Sequence, residues 1–475
     1  MIKAKKEIVM DLKGKYLKED EKVNEVLSNA VRDNQITLIV SPQGTGKSEW
    51  VKSLPYNKAF VSPTISTANQ IENDVENISV ARGCSFLTFE MTLSDAFGTP
   101  LYGNVSITFG SAQSVKYIED VDVLVVDEIH KLVQYSTFGY SNCQSVLNAI
   151  SQFYDQGKKI VLLTAPPTLL DCIQHLDFME KLDTYIKICK DKEYVSECIM
   201  LKNLFNRQKM INLIQRNSTG DNFQIALYND TKAIKDIAEN LNEYNIKALS
   251  VNGLEYKENT NHKKELIEDI KKGNYHGYDA LLCTSWVDVG LNFLGTNITH
   301  MYCVFDNNYD TGDLTLIEQF MARSRRSKPI LYISKPTISK EEQKLLEHFT
   351  DKPIKFEKEI LQHQKEVANT LIEEYKQGYI KDIDTKQVYG IYKLDYEKRE
   401  EKYHFSDITL KYQLFRIFEK WEILNDFSYL KQRLKVQRLV ERNDTNELST
   451  VEIQKLKDVL EKMKTNIFLK KNGAI

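Results

Sequence analysis

Few folds are compatible with the loop that follows the apolar run Ile36–Val40. Its sequence is Ser41-Pro42-Gln43-Gly44-Thr45-Gly46-Lys47-Ser48, and residues of helical character come directly after it. A strand, a glycine loop and a helix in this order are typical of a phosphate-binding loop in a parallel α/β sheet. The glycines allow backbone N–H groups to turn towards phosphate oxygens. The sequence therefore predicts an α/β domain with a phosphate site, although Ser41 stands where the common pattern has glycine.

The expected ligand of this loop is ATP together with Mg²⁺. A lysine at the position of Lys47 reaches the β- and γ-phosphates, and a hydroxyl at the position of Ser48 ligates the metal ion. The loop residues predicted to bind ATP are Pro42, Gln43, Gly44, Thr45, Gly46, Lys47 and Ser48. A glycine-rich turn without function is the alternative, and the strand and helix that flank the loop argue against it.

A second apolar run, Val123–Val126, ends in two carboxylates, Asp127 and Glu128, and His130 follows them. Because α/β sheets bind ligands at the carboxyl ends of their strands, these side chains are expected beside the phosphate site. Asp127 is predicted to hold Mg²⁺, directly or through water. Glu128 is predicted to orient and deprotonate the attacking water. His130 stands directly after Asp-Glu-Ile, and this position favours a functional role for the histidine over a structural one.

Short apolar runs alternate with helical segments through the first 335 residues, which indicates parallel sheets in α/β domains. The predicted strands are Ile36–Val40, Ala59–Ser62, Val105–Phe109, Val121–Val126 and Ile160–Thr164 in a first domain, and Gln224–Tyr228, Ala248–Val251, Ala280–Thr284, Met301–Phe305 and Ile330–Ile333 in a second. Later residues are rich in Lys, Glu, Tyr and Leu at helical spacing. The predicted fold class is therefore α/β, with two parallel-sheet domains and a mostly α-helical C-terminal accessory region.

Four parts are predicted along the chain. They are an N-terminal helical extension (1–30), two α/β domains (31–200 and 201–335) and the helical accessory region (336–475). Polar residues near Asp191–Glu193 and at 203–208 predict a hinge between the two α/β domains.

Composition limits the function classes that need to be considered. The 475 residues carry a net charge of −3 and a pI of about 6.3, so a nucleic-acid partner would need a local basic groove. Seven scattered cysteines without a CxxC pair argue against zinc and against a disulfide framework. Neither a secretory signal nor a membrane span is evident, so a cytoplasmic location, in a bacterium or a phage-infected host, is expected.

The order of these and four further segments resembles that of superfamily 2 helicases of the DExH kind. The resemblance covers about residues 36–335, with the loop 41–48 similar to motif I and Asp127–His130 similar to motif II. The segments similar to motifs Ia, III, V and VI are residues 63–70, 164–166, 284–292 and 319–326. Pro166 and Ala322 depart from motifs III and VI. The resemblance implies two tandem RecA-like lobes with parallel sheets that hydrolyse ATP between them.

The resemblance also implies roles for residues of the second lobe. Arg323 and Arg326 would neutralise the charge that develops on the transferring phosphoryl group. Gln319 would meet the γ-phosphate side of the cleft near His130. The implied ATP contacts from motif V are Gly290 and Asn292. Arg325, between the two implied arginines, is equally compatible with a surface charge.

A nucleic-acid track across both lobes is implied by the same resemblance. The implied contacts are Pro63, Thr64, Ser111, Asn229, Gly253, Thr284 and Trp286. Small polar groups and backbone N–H donors hold phosphates without reading bases, so binding should be independent of sequence and sensitive to salt. Trp286 either stacks on a base or packs beneath motif V. The expected partner is a single strand, DNA in preference to RNA, with replication proteins as further candidates and no membrane.

In the accessory region, the mixture of aromatic and cationic residues leaves two interpretations open. The aromatic side chains Tyr412, Phe415, Phe418 and Trp421 are predicted to form a helix core rather than a stacking platform. The later cations are Lys431, Arg433, Lys435, Arg438 and Arg442. They either solvate a helix or line a nucleic-acid channel.

Together these features predict an ATP-dependent helicase or translocase that moves along one strand and unwinds duplex in DNA replication or repair. A narrower resemblance, to viral origin-binding replication helicases, rests on Asp122–Glu128, Leu132, Gln134 and Ser285–Phe293. The alternatives are an ATPase that remodels without unwinding, an origin-binding scaffold with weak ATPase activity, and a packaging motor with a nuclease. The nuclease would need a carboxylate cluster, and the spacing of Asp382, Asp384 and Asp395 does not favour one.

Overall fold

The computed structural model describes two α/β lobes and a C-terminal region. The described residues are 2–64, 79–81, 104–118, 120–137, 139–165, 167–202, 204, 206–220, 222–285, 291–304, 313–347, 358–384, 388–393 and 403–442. The predicted site residues Trp286 and Gly290 lie outside these ranges, as do Pro166 and Asp395.

Parallel strands form the sheet of the first lobe, and its described strands number eight. Their bounds are Lys6–Asp11 (β1), Ile36–Val40 (β2), Lys58–Ser62 (β3), Ser79–Ala81 (β4), Val105–Thr108 (β5), Val123–Val126 (β6), Lys159–Thr164 (β7) and Thr184–Cys189 (β8). The spatial order is β1-β8-β2-β7-β6-β3-β5-β4. All five residues of β2 are buried, as expected for a strand covered on both faces.

Helices cover both faces of this sheet. Their bounds are Glu21–Asp33 (α1), Lys47–Lys52 (α2), Lys131–Tyr135 (α3), Tyr140–Asp155 (α4) and Asp177–Glu180 (α5). The side chain of Asp20 caps α1 by accepting a hydrogen bond from Val23 N at 3.3 Å. Leu38 of β2 belongs to the core on the α4 side and Ile39 to the core on the α1 side, as the alternation of a strand requires.

The second lobe repeats this architecture. Its first six strands are Glu197–Leu201 (β9), Phe223–Tyr228 (β10), Ala248–Val251 (β11), Ala280–Cys283 (β12), Ile298–Val304 (β13) and Ile330–Ser334 (β14). Its helices are Arg207–Asn217 (α6), Thr231–Glu243 (α7), Gly253–Glu258 (α8), Lys263–Lys272 (α9) and Leu314–Met321 (α10). Short 3₁₀ turns in the two lobes are Leu17–Glu19, Phe109–Tyr117, Thr168–Ile173 and Thr260–His262.

The C-terminal region is mostly helical and returns to the second lobe. Its elements are Lys340–Glu347 (α11), Lys358–Lys376 (α12), Ile391–Lys393 (β15), Tyr403–Phe405 (β16), Asp407–Asn425 (α13), Phe427–Leu434 (α14) and Leu439–Arg442 (β17). β15 and β16 pair antiparallel. β17 pairs parallel with β9 and completes the second sheet in the order β11-β12-β10-β13-β14-β9-β17.

Helix α13 packs against both lobes. Near its start, Tyr412 is buried in the core of the first lobe, and Thr409 Oγ1 donates to Ser136 O at 2.9 Å. Near its end, Ile423 is buried in the core of the second lobe. Between them, Glu419 accepts a hydrogen bond from the backbone N–H of Leu314 in α10 at 2.7 Å. One continuous helix therefore links the two cores.

The predicted fold class is confirmed: two parallel sheets with helices lie in tandem, followed by a helical C-terminal region. Each of the ten predicted strands is present, with ends that differ by up to three residues. Among the helices in the described ranges, none has the length and apolar character needed to cross a bilayer.

The structure differs from the prediction at the edges of both sheets. Residues 6–11 form strand β1, paired with β8, where the sequence predicted a helical extension over 1–30. β1 lies at a sheet edge and its side chains are mostly exposed, so its apolar signal is weak. Because β9 begins at Glu197, the second lobe starts before the predicted boundary at residue 201. β17 likewise assigns part of the accessory region to the second sheet.

Candidate nucleotide and nucleic-acid site

The predicted phosphate-binding loop, residues 41–48, is folded between β2 and α2. Gly44 and Gly46 have φ values of +72° and +80°, a left-handed conformation that costs glycine little. Thr45 Oγ1 lies 2.6 Å from Ser41 Oγ and donates to Pro42 O at 2.9 Å. These bonds fix the loop in a closed turn.

Lys47 is buried inside this turn. Its Nζ donates to Ser41 O at 2.8 Å and to Pro42 O at 3.3 Å. Burial lowers the pKa of Lys47, whereas the nearby Glu128 and Asp127 favour its charged form. An ammonium group has three N–H donors, so the two bonds to loop carbonyls leave one for a phosphate oxygen.

Ser48 and Asp127 lie side by side, with Ser48 Oγ donating to Asp127 Oδ2 at 3.3 Å. Mg²⁺ prefers oxygen ligands in octahedral geometry, in which neighbouring ligands lie about 3 Å apart. This pair therefore fits two adjacent ligands of Mg²⁺. In the described part of the chain no group of three or more His, Cys, Asp or Glu side chains is arranged to hold a metal ion, so phosphate oxygens and water would complete the coordination.

Glu128 is held in an unusual backbone conformation directly after Asp127. Its φ is +51°, in the left-handed region that non-glycine residues seldom adopt. Gln43 Nε2 donates to Glu128 Oε1 at 3.3 Å, and Glu128 Oε2 lies 3.3 Å from His130 Nδ1. Strain of this kind concentrates at functional sites, where surrounding contacts over-determine the conformation.

The two neighbouring carboxyl groups differ in their affinity for protons. Burial, and then the charge of Glu128, raises the pKa of Asp127 to about 6. Burial would also raise the pKa of Glu128, but His130, Lys47 and Arg323 outweigh it and the pKa lies below its usual value. Glu128 is therefore ionised at neutral pH, as a proton acceptor must be.

His130 joins the two lobes across the cleft. Burial lowers its pKa to about 4, despite the opposing charge of Glu128, so the ring is neutral at neutral pH. Gln319 Nε2, on α10 of the second lobe, lies 2.8 Å from His130 Nε2. An amide N–H donates to a ring nitrogen that lacks a proton, which leaves Nδ1–H to face Thr164 Oγ1 at 2.9 Å. The predicted neighbourhood of Gln319 and His130 is thus a direct contact.

Of the arginines that follow α10, two lie in the cleft. Arg323 is 5% exposed and close enough to Lys47 and Glu128 to shift their pKa values. Arg325 lies against the phosphate-binding loop, since a Cβ on Gly44 would be 2.1 Å from Arg325 Nη1. Arg326, the second arginine that the motif implied, is exposed. The structure therefore brings Arg323 to the site but not Arg326.

Asn292, an implied ATP contact, faces Arg325 instead. Asn292 Oδ1 accepts a hydrogen bond from Arg325 Nε at 2.8 Å. The connection between the lobes also meets the loop, where the hydroxyl of Tyr194 donates to Gln43 O at 2.9 Å. A cavity of about 580 Å³ adjoins Pro42 and Gln43 and reaches Gln319 on the facing lobe.

Five of the residues predicted to contact nucleic acid lie at the carboxyl ends of parallel strands. In the first lobe Pro63 and Thr64 follow β3, which lies beyond β6 from the phosphate-binding loop. In the second lobe Asn229, Gly253 and Thr284 follow β10, β11 and β12, three adjacent strands. In each sheet, the strand order therefore separates the strand ends beside the predicted nucleotide site from the strand ends that carry the predicted nucleic-acid contacts.

The detailed environments of these residues vary. Asn229 Oδ1 accepts from the backbone N–H and the hydroxyl of Ser285, each at 3.1 Å. Gly253 opens α8, whose capping box is formed by Asn252 and Glu255. Ser111 is 1% exposed, so its side chain does not reach the surface.

Tyr16 is a residue of the site that the sequence interpretation missed. Its ring lies 3.4 Å from the position of a Cβ on Gly46, and it is 37% exposed. The next residue, Leu17, donates its N–H to Thr45 O at 2.9 Å. An exposed aromatic ring beside a phosphate site can stack on a base. Its signal in the sequence is weak, because Tyr16 lies about 25 residues before the loop in a charged segment.

Two of the five C-terminal cations, Arg433 and Arg438, form ion pairs with the second lobe or with α13. Arg433 Nε lies 3.0 Å from Glu318 of α10, and Arg433 Nη1 lies 2.9 Å from Glu419 of α13. Arg438 pairs with Glu197 of β9 at 3.0 Å. These contacts do not support a channel for nucleic acid. Burial raises the pKa of Glu419 to about 7 although Arg433 opposes the shift.

No family model and no curated protein matches the chain. Solved structures similar to it include helicase Lhr of Mycobacterium smegmatis bound to ssDNA and AMP-PNP. The two chains are 15% identical with a TM-score of 0.46, and the alignment covers 66% of this chain and 46% of Lhr. Another is Dbp5 of S. cerevisiae bound to RNA and ADP BeF₃. It is 11% identical with a TM-score of 0.47, and the alignment covers 68% of this chain and 90% of Dbp5. A third is the Escherichia coli DEAH/RHA helicase HrpB. It is 12% identical with a TM-score of 0.44, and the alignment covers 68% of this chain and 43% of HrpB.

This chain therefore spans less than half the length of Lhr and of HrpB. At such identities and TM-scores the likeness gives no information on activity, which depends on the side chains of the cleft.

Proposed function

We propose that this chain is a nucleic-acid-dependent ATPase of the superfamily 2 helicase type, which moves along a single strand. The observation that carries the proposal is the convergence of complementary groups at one cleft. Lys47, Asp127 and Glu128 come from the first lobe, and Gln319 and Arg323 come from the second. A loop for phosphates, a carboxylate for water and cations for the developing charge are the parts that phosphoryl transfer to water requires.

In the proposed reaction, the phosphate-binding loop and Lys47 bind the β- and γ-phosphates of ATP. Glu128 orients the attacking water and accepts its proton, and Arg323 stabilises the charge on the γ-phosphoryl oxygens. Ser48 and Asp127 would hold Mg²⁺, which neutralises phosphate charge. Tyr16 would stack on the base.

Movement would follow from opening and closing of the cleft. The contact between His130 and Gln319 joins the two lobes, and it would be lost when the lobes separate. Hydrolysis would reopen the cleft, and alternating grip by the two lobes would advance the strand, a hinge-type cycle.

The proposed track runs over the sheet edges of both lobes. Pro63 and Thr64 would contribute from the first lobe, and Asn229, Gly253 and Thr284 from the second. Backbone N–H groups and small polar side chains at these positions suit a sequence-independent grip on phosphates. We propose single-stranded DNA as the preferred track and replication or repair as the setting. Lhr bound to ssDNA and Dbp5 bound to RNA represent the two possibilities among similar folds.

The test is steady-state ATP hydrolysis without nucleic acid and with single-stranded DNA, single-stranded RNA or duplex. Strong stimulation by one strand type supports the proposal and identifies the track. Activity that ignores all nucleic acids would contradict it, and so would no activity under any condition. A strand-displacement assay then separates a helicase from an ATPase that remodels without unwinding.

A further inference from the structure

The segment after α10 is anchored at Ser324 by Phe293. Phe293 N donates to Arg323 O at 2.9 Å, and Arg325 N donates to Phe293 O at 3.0 Å. The two bonds form a parallel bridge between Phe293 and Ser324, and Phe293 itself is fully buried. At such a bridge, the side chains of the two residues that flank the bridged residue point to the same side. Residues 323 and 325 therefore share one side, and the chain bends at residues 325 and 326.

The three arginines of this segment differ in exposure. Arg323 is buried and Arg326 is exposed. Arg325 lies over the phosphate-binding loop, so close to Gly44 that any larger residue there would displace its guanidinium.

Arg325 is oriented and has donor capacity left. Its Nε donates to Asn292 Oδ1, which fixes the direction of the guanidinium. Its Nη1 is buried and has no hydrogen-bond partner among the residues that the structure describes. A buried donor of a charged group that lacks a partner is costly, so an anionic ligand at this position would be strongly favoured.

A second cation approaches the same place from the connection between the lobes. Lys192 Nζ lies 3.6 Å from the position of a Cβ on Gly44. Burial, and then the charge of Arg325, lowers the pKa of Lys192 to about 8. Arg325 and Lys192 thus approach the same turn of the loop at Gly44. Two neighbouring cations repel each other, which indicates that an anion binds between them.

We propose that Arg325, oriented by Asn292, contacts the terminal phosphate of the bound nucleotide in the role that the motif spacing implied for Arg326. Lys192 adds positive charge at the same point. The inference rests on the proposed function, since it assumes a nucleoside triphosphate in the loop. It assigns Asn292 a positioning role through Arg325 rather than a direct contact with ATP.

The experiment compares Arg325→Ala, Arg325→Lys and Arg326→Ala with the wild type, in ATP hydrolysis and in calorimetric titration with AMP-PNP and with ADP. Arg325→Ala should lower kcat by about 100-fold or more, the usual effect of removing one donor to a developing charge. It should weaken AMP-PNP binding more than ADP binding, because ADP lacks the terminal phosphate. Arg325→Lys should lie between, since lysine keeps the charge and loses the planar fork.

The positioning role of Asn292 is tested by rescue. Asn292→Ala should lower kcat more than it raises KM, and Asn292→Asp, which keeps an acceptor for Arg325 Nε, should recover most of the loss. Arg32→Gln, at the exposed rim of the first lobe, is the control for loss of an arginine elsewhere.

Two results would overturn the inference. One is an Arg325→Ala protein with the wild-type kcat and the wild-type ratio of AMP-PNP to ADP affinity. The other is a larger loss in Arg326→Ala than in Arg325→Ala. A wild type that binds AMP-PNP without hydrolysing ATP contradicts the proposed function alone, and the affinity ratio still decides on Arg325. If Arg325→Ala does not fold, Arg325→Lys supplies the same comparison.

Discussion

The two faces of the cleft are built in different ways. On the first lobe, Lys47 and Asp127 follow strands β2 and β6, which are separated only by β7, so one continuous sheet fixes their positions. On the second lobe, Gln319 lies on α10 and Arg325 on the segment that follows it. Contacts from outside the second sheet hold these elements, since Glu419 accepts a hydrogen bond from the first residue of α10, Leu314, and Phe293 forms a bridge with Ser324.

This difference suggests that the first face serves the proposed hydrolysis of ATP and that the second face links the cleft to the rest of the second lobe. The first face carries a preorganised loop and the carboxylates, which require a rigid support because a small displacement is costly in rate. The second face carries groups whose position depends on α13, α14 and the segment near Phe293. A change in any of these contacts is felt at the cleft without any change in the first sheet. Substitutions on the two faces should therefore have distinct kinetic signatures.

The largest effect is expected on the first face, from Glu128→Gln. Loss of the proton acceptor should lower kcat by about 10²–10⁴-fold while nucleotide still binds. Steady-state ATP hydrolysis together with AMP-PNP titration measures both quantities. Glu180→Gln, at an exposed position of the same lobe, should behave as wild type. Unchanged turnover in Glu128→Gln would remove this residue from the mechanism.

Next in size is the coupling between the faces through His130 and Gln319. Alanine substitution of either residue should reduce stimulation by nucleic acid, by roughly tenfold for a coupling of about 1–2 kcal/mol. Because the two side chains contact each other, the double variant should lose little more than either single one. Stimulated and unstimulated ATPase rates provide the cycle. Additive losses would show that the contact carries no coupling.

An effect of similar size, on nucleotide binding rather than on stimulation, is expected from Tyr16, which is neither one of the carboxylates nor one of the arginines of the cleft. Tyr16→Ala should raise KM for ATP about tenfold with little change in kcat, since stacking on a base contributes about 1–3 kcal/mol. Tyr16→Phe keeps the ring and should restore KM. Tyr244→Ala, at a tyrosine 58% exposed on the second lobe, is the control. A higher KM in Tyr16→Phe as well would assign the effect to the hydroxyl.

The last prediction concerns stability rather than turnover, through the support that Glu419 gives the second face. Burial raises the pKa of this carboxyl to about 7, with Arg433 opposing and Asp313 reinforcing the shift. Between pH 4.5 and 7 the folded protein then keeps a proton that the unfolded chain releases, so the free energy of unfolding falls as pH rises through this range. Glu419→Gln removes this component.

Urea denaturation at pH 5 and at pH 7.5 measures it. Relative to wild type, Glu419→Gln should gain on the order of 2 kcal/mol between the two pH values. Glu366→Gln, at an exposed position of α12, should show no such gain. Parallel pH profiles for wild type and Glu419→Gln would mean that the carboxyl titrates normally in the folded chain.

The same contrast between the faces explains which features the sequence could predict. The loop 41–48 and the pair Asp127 and Glu128 each occupy a short contiguous segment after an apolar strand, so local pattern was sufficient to bring them together. Arg325 could not be distinguished from Arg326, because a hydrogen-bonded bridge to Phe293, about 30 residues earlier, decides their orientation. Strand β17 depends on pairing with β9 over an even longer separation.

Edge strand β1 and Tyr16 illustrate a further limit. Both lie in a segment whose charged composition resembles a helix, and only pairing with β8 and packing on Gly46 reveal their roles. The placement of Gln319 beside His130 was anticipated from the family resemblance rather than from any pattern of apolar residues. The nucleic-acid track remains a proposal that rests on strand order.

Helix α13 has a length of 19 residues, about 28 Å at the usual rise per residue, and its two ends are anchored in different lobes. Because the helix has a fixed length and is anchored at both ends, separating the lobes would pull Tyr412 or Ile423 out of its core. The apolar surface exposed in this way makes opening unfavourable. By linkage, a ligand that closes the cleft also protects this helix from local unfolding. Amide hydrogen exchange in α13 is accordingly a gauge of nucleotide occupancy at a site that the helix does not touch.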